Sequence, residues 1–164
     1  MLPSTRRSGA DVRGLTIIEL VMTVAILGIL ASVVVPFSQM TVKRTKELEL
    51  RRDLREIRTA LDAYKKDYDE LVKIKSLNKS GYPETLEKLV EGEDFGGASP
   101  LKKKYLRRVP QDPFNRPAHG EKPQWGLRSY ADDPESRNWG GEDVFDVYSM
   151  SEATAIDGSN YKDW

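Results

Sequence analysis

The side chain in this sequence whose position most needs a chemical explanation is Glu19, because it lies inside an apolar run from Leu15 to Phe37. An ionised carboxylate deep in a membrane-spanning helix costs about 2.5 to 3.5 kcal/mol, so such groups usually have a partner. If the chain is cut after Gly14, Leu15 provides a new ammonium group four residues before Glu19. Such a spacing would allow the carboxylate of one subunit to neutralise the terminus of a neighbouring subunit.

Other reactive side chains are few. The chain has no Cys and a single His, His119, which leaves no thiolate nucleophile, disulfide, Cys-ligated zinc or imidazole pair. No segment combines a nucleophile, a base and an oxyanion donor, and we therefore expect no enzyme activity. Basic and acidic residues both number 26, so there is no overall positive charge of the kind that attracts nucleic acid.

The apolar run determines how the chain is organised. A helix from Leu15 to Phe37 reaches roughly 35 Å, enough to cross a hydrocarbon core of roughly 30 Å. The polar leader before it carries Arg6, Arg7 and Arg13, which the positive-inside rule keeps in the cytoplasm. A removable secretory signal peptide is the alternative, but its apolar core is only about 7 to 15 residues long. The length favours a permanent anchor with the rest of the chain exported.

Residues 13–20, with the sequence Arg-Gly-Leu-Thr-Ile-Ile-Glu-Leu, resemble the processing motif of type IV prepilins and type II secretion pseudopilins. The resemblance implies cleavage after Gly14, N-methylation of Leu15 and an assembly role for Glu19. Leu15 stands where the family usually has Phe. Pro36 matches the family's proline late in the apolar helix, where it can kink or locally melt the helix.

A second periodic segment follows the apolar run. Its apolar residues are spaced by alternating steps of four and three, which predicts an amphipathic helix that ends near Leu71. They are Leu50, Leu54, Ile57, Leu61, Tyr64, Tyr68 and Leu71. The charged residues between them fit either an ordinary solvated face or pairing between subunits of a filament.

The remainder predicts a small head. Pro83 is placed at the start of a short helix that runs to Val90 and stops at Gly92. The segments 125–130 and 144–148 are the best strand candidates, and they should form a small antiparallel sheet over the helix stripe. The fold class is thus α+β, a long N-terminal helix on a small antiparallel sheet. We divide the chain into a cleaved cytoplasmic leader (1–14), a transmembrane and filament-core helix (15–37) and a periplasmic head (38–164), with the amphipathic helix reaching to about residue 75.

Three downstream stretches resemble the major, or G-class, pseudopilin of type II secretion. They are Tyr82-Pro83 with residues 86–90, Tyr105-Leu106 with residues 109–114, and the end from Phe145 to Trp164. The resemblance implies a structural subunit of a secretion pseudopilus, at the inner membrane before assembly and in a periplasmic filament afterwards. Its partners would be copies of itself, the prepilin peptidase, minor pseudopilins and the inner-membrane assembly platform. The alternative is a type IV pilus subunit with an adhesive or DNA-uptake role.

The same resemblance implies calcium in the loop near the C-terminus. A calcium ion takes six to eight oxygen ligands at about 2.3 to 2.6 Å. Glu152 and Asp157 are the candidate ligands, with Asp163 further along, and Asp157-Gly158 also fits an ordinary turn. A second acidic patch, Asp132, Asp133 and Glu135, fits a solvated loop better than a metal site.

Overall fold

The computed structural model describes residues 14–72, 80–95 and 102–164. Helix α1 runs from Ile17 to Leu71 and helix α2 from Glu87 to Glu91. Strands β1 (Gly126–Arg128) and β2 (Asp146–Tyr148) are followed by a single 3₁₀ turn, Tyr161–Asp163. The chain separates into two compact units, one that ends at Thr41 and a head from Val42 to Trp164.

The head is built on the apolar stripe of α1. The first five predicted stripe residues are buried, and Leu50, Ile57 and Leu61 have no exposed surface. They pack with residues from every later part of the head into one hydrophobic cluster, which includes Leu89, Leu106, Trp125, Val144, Val147 and Tyr161. Tyr68 is half-buried and Leu71 is 42% exposed, so the stripe loses its cover over the last turn of the helix.

The two predicted strands pair as expected, over fewer residues. β1 and β2 are antiparallel, with Gly126 opposite Tyr148, Leu127 opposite Val147 and Arg128 opposite Asp146. Any side chain at Gly126 would collide with the ring of Tyr148, which is why this strand position requires glycine. The α+β prediction is confirmed.

Two predicted helix starts differ from the structure. Helix α1 begins at Ile17 rather than Leu15, and it ends at Leu71, where the apolar spacing predicted its end; residue 75 lies outside the described residues. The short helix begins at Glu87 and not at Pro83. The carbonyl oxygen of Pro83 instead accepts a hydrogen bond from the amide of Val144, at 2.8 Å, which fixes Pro83 against the approach to β2. Gly92 ends α2 as predicted, with a φ of +83° that other residues rarely adopt.

The burial pattern gives a direct test of the helix stripe. In a fragment that starts at Gln39, Leu61→Ala should lower the free energy of unfolding by about 2 to 5 kcal/mol, because it removes a fully buried side chain and leaves a cavity. Leu48→Ala is the matched control, since Leu48 is on the same helix but 63% exposed, and it should cost less than about 0.5 kcal/mol. Urea unfolding followed by circular dichroism measures both values. Equal losses for the two variants would show that the stripe does not hold the head together.

Candidate functional site

The predicted processing junction lies just before α1. Gly14 is exposed, and a Cβ atom added there would meet no heavy atom within 4 Å. Leu15 is 71% exposed, and both residues precede the first helical residue, Ile17. A peptide bond in this position is accessible, and it carries none of the i to i+4 hydrogen bonds that a protease would have to break.

The first turn of α1 forms half of a capping box. The hydroxyl oxygen of Thr16 accepts a hydrogen bond from the amide of Glu19 at 3.3 Å, and the carbonyl oxygen of Thr16 accepts one from the amide of Leu20 at 3.1 Å. Thr16 is therefore the N-cap and Glu19 the third helical residue. This contact was not predicted from the sequence, although a Thr followed three residues later by Glu is its usual sequence signal. Glu19 is also favourably placed near the positive end of the helix dipole.

The carboxylate of Glu19 differs from the other polar groups of the apolar segment. The hydroxyls of Thr23 and Ser32 donate to the carbonyl oxygens of Leu20 and Ile29 at 2.8 and 2.7 Å, which satisfies them within the helix. Within the described residues the side chain of Glu19 has no hydrogen bond or ion pair, and it is exposed. It is therefore available to a group from outside the described chain.

The apolar segment itself lacks any cover from the described residues. Each of its large hydrophobic side chains that the structure describes is more than half exposed, from 83% at Ile17 to 52% at Ile26. This part of α1 is long and apolar enough to cross a membrane by length and composition. The helix includes position 36, where the side chain of Pro36 lies outside what is described. Such a surface is covered either by lipid or by other helices.

The C-terminal loop, residues 149–164, contains the predicted calcium ligands. Asp157 accepts two hydrogen bonds at Oδ1 from Ser159, from the amide at 3.0 Å and from the hydroxyl at 2.6 Å. Its Oδ2 is 3.3 Å from the guanidinium of Arg51. The contacts with Ser159, and to a smaller extent Arg51, hold the pKa of Asp157 below its ordinary value. Glu152 is exposed, and Asp163 accepts a hydrogen bond from the side chain of Asn160 at 3.2 Å.

The acidic residues of the described chain are not gathered into a metal-binding cluster of three or more side chains. In residues 14–72, 80–95 and 102–164, no three His, Cys, Asp or Glu side chains are placed so that they could hold one ion.

The second acidic patch behaves as a turn. Asp132 accepts hydrogen bonds from the amides of Ser129 and Gly140 at 2.7 and 3.0 Å, which lowers its pKa.

Charged residues of α1 hold the C-terminal loop in place, which sequence reasoning missed. Glu47 accepts hydrogen bonds at Oε1 from the amide of Ile156 and the hydroxyl of Tyr161, both at 2.8 Å. Burial and then this hydrogen bond raise the pKa of Tyr161. Arg58 pairs with Asp146 at 2.7 Å and donates to the carbonyl oxygen of Trp164 at 3.0 Å. The only available signal was the charge pattern on the polar face of α1, which also fits a solvated face.

Among the described residues, one N-terminal helix is long and apolar enough to cross a membrane. It carries one exposed carboxylate, follows an open Gly-Leu junction and leads into a small α+β head, an organisation that fits a membrane-anchored protein. No protein-family model matches the chain, and no solved structure matches it. Curated relatives, in contrast, match the chain in sequence. The type II secretion system core protein G of Pseudomonas aeruginosa is 36% identical over 110 residues, which cover 63% of this chain and 69% of that protein.

Two further relatives carry the same name. The type II secretion system core protein G of Klebsiella pneumoniae is 33% identical over 62% of this chain and 69% of its own length. That of Aeromonas hydrophila is 30% identical over 63% of this chain and 68% of its own length. The chain therefore belongs to the type II secretion system core protein G family, and the predicted resemblance to the major pseudopilin is confirmed.

Proposed function

We propose that this protein is a structural subunit of a type II secretion pseudopilus and polymerises through its N-terminal helix. The observation that carries the proposal is Glu19, an exposed carboxylate without a partner among the described residues, on a helix segment that is otherwise apolar. The names of the relatives favour secretion over the adhesive or DNA-uptake role that the processing motif alone left open. Pushing folded proteins through an outer-membrane pore requires a rigid filament and no enzyme chemistry in its subunit.

The location follows from the distribution of charge and apolar surface. Before assembly the apolar part of α1 spans the bacterial inner membrane, with the basic leader in the cytoplasm and the head in the periplasm. On assembly the same apolar surface exchanges lipid for the helices of neighbouring subunits. The other proposed partners are the prepilin peptidase, the minor pseudopilins and the inner-membrane assembly platform.

Processing prepares the chain for assembly. Cleavage after Gly14 removes the basic leader, which would otherwise have to enter the filament core with the apolar helix. It also creates the ammonium group of Leu15 beside the first turn of α1. Within a filament, that cation and the carboxylate of Glu19 on the adjacent subunit neutralise each other, so that neither charge stays unpaired in apolar surroundings. Pro36, which has no amide donor, would let the helix bend as the subunits pack.

The processing step has a mass signature. Protein extracted from membranes of a host that has the peptidase should lack residues 1–14 and carry one added methyl group on Leu15. Intact-mass spectrometry measures both changes at once. Recovery of only the full-length chain from that host would contradict the proposed cleavage, and an unmodified Leu15 on a shortened chain would contradict methylation alone.

The assembly role of Glu19 predicts loss of filaments in two variants. Glu19→Ala should abolish them, because the ammonium group of Leu15 then stays unpaired in the filament core at a cost of several kcal/mol. Membrane insertion should not suffer, since removing a buried acid relieves about 2.5 to 3.5 kcal/mol. Electron microscopy of sheared filaments, with membrane fractionation of the same cells, measures the two effects separately.

Glu19→Gln separates the charge of the side chain from its shape. Glutamine keeps the volume and the hydrogen-bonding capacity of glutamate, and the cap from Thr16 uses the backbone amide of residue 19, which the substitution leaves in place. This variant should therefore retain the start of α1 and still fail to assemble. Abundant filaments from both variants would show that the charge of Glu19 is not needed, and loss of membrane localisation would assign Glu19 to targeting instead.

A further inference from the structure

The C-terminal loop of this chain keeps its shape through contacts that leave little room for a calcium ion. Both carboxylate oxygens of Asp157 are engaged, one by Ser159 and the other by Arg51. The loop also uses its own carbonyl oxygens internally: those of Ala153, Ala155 and Ser159 accept hydrogen bonds from the amides of Tyr161, Gly158 and Ala155. A calcium ion needs six to eight oxygens directed at one point, and this donor set does not supply them.

A positive charge is nevertheless present at the loop, and it belongs to α1. The guanidinium of Arg51 lies 3.3 Å from Asp157 Oδ2 and 4.0 Å from the centre of the Trp164 ring. The indole nitrogen of Trp164 donates to the hydroxyl of Ser159 at 2.7 Å, and that hydroxyl donates to Asp157. One cation thus joins the tip of the loop to its end, through an ion pair on one side and a cation–π contact on the other.

The neighbouring turns of α1 strengthen this arrangement. Glu47, one turn before Arg51, accepts hydrogen bonds from the amide of Ile156 and the hydroxyl of Tyr161. Arg58, two turns after Arg51, donates a hydrogen bond to the carbonyl oxygen of Trp164. Steps of four and seven residues place these three side chains along one face of the helix. The helix face therefore anchors the loop at its tip, at the 3₁₀ turn and at its end.

We infer that the guanidinium of Arg51 takes the place of a metal ion in this loop, so that the head folds and keeps its stability without calcium. The residue pattern that sequence resemblance connects with calcium is here a set of contacts within the protein. Folding of the head without calcium does not depend on filament assembly, so its failure and a failure of the proposed function are distinguishable.

The first test needs no substitution. The full chain, purified in detergent, is melted with calcium at about 10 mM, well above the roughly 1 mM dissociation constants of the weakest extracellular calcium modules, and again with excess EGTA. The melting temperature of the head should agree within about 1 °C in the two conditions, because only a ligand that binds the folded state stabilises it. A rise of about 4 °C or more with calcium would overturn the inference.

The second test examines Arg51 itself by hydrogen exchange and mass spectrometry. Arg51→Gln should speed amide exchange severalfold in the peptide that covers residues 152–161, because the loop loses the cation that joins Asp157 to Trp164. Arg55→Gln is the matched control, since Arg55 is the exposed arginine one turn further along α1. Unchanged exchange in Arg51→Gln, or an equal change in the control, would overturn the role of Arg51. If Arg51→Gln does not fold, the comparison of calcium with EGTA on the unaltered chain decides the question.

Discussion

Helix α1 imposes the constraint on which the rest of the molecule depends, because it carries two apolar surfaces that need different covers. The described large hydrophobic side chains up to Val42 are more than half exposed, whereas Leu50, Ile57 and Leu61 are fully buried by the head. At roughly 25 cal/mol for each Å² of apolar surface, neither surface can be left in water without a large loss of free energy. The first needs a membrane or other helices, and the second needs only the rest of its own chain.

Charged contacts along α1 fix where the loops of the head lie, while the buried apolar cluster supplies most of its stability. Exposed ion pairs contribute about 0 to 1 kcal/mol, and Arg51 and Asp157 are each about half exposed. Their effect is to select where the loops lie. Asp67 likewise fixes the position of a loop, near the C-terminal end of α1. It accepts hydrogen bonds from Lys103 at 2.6 Å and from the hydroxyl of Tyr105 at 2.6 Å. These two contacts hold the pKa of Asp67 below its ordinary value.

Those parts of the fold that follow from periodicity could be predicted from the sequence. The helix stripe, both strands and the α+β class depend on short-range patterns, and the structure has them close to the expected positions. The predicted start of the short helix was wrong, because the carbonyl oxygen of Pro83 accepts a hydrogen bond from the amide of Val144. This partner lies 61 positions away, and no local pattern indicates it. The prediction that Leu71 is buried was also wrong. The apolar spacing continues to Leu71, but the head no longer covers the helix there.

The candidate sites differ in the same way, because one is contained in a short stretch of sequence and the other depends on distant contacts. The junction at Gly14 and the carboxylate of Glu19 are contained in eight consecutive residues, so the sequence could indicate them, and their roles stay predictions. The anchoring of the C-terminal loop could not be predicted, because Glu47 and Arg51 contact residues more than 100 positions later. A charged side chain on a helix has the same sequence pattern whether it contacts solvent or a distant loop.

Pairing of Glu19 in one subunit with the Leu15 terminus of another can be tested with a structure of the assembled filament at side-chain resolution. We expect a carboxylate oxygen of Glu19 within about 2.7 to 2.9 Å of the Leu15 nitrogen of an adjacent subunit, the distance of a charge-assisted hydrogen bond. The pairing is contradicted if each Glu19 instead contacts the Leu15 nitrogen of its own chain, or if the two groups lie beyond about 6 Å of one another in every pair of adjacent subunits.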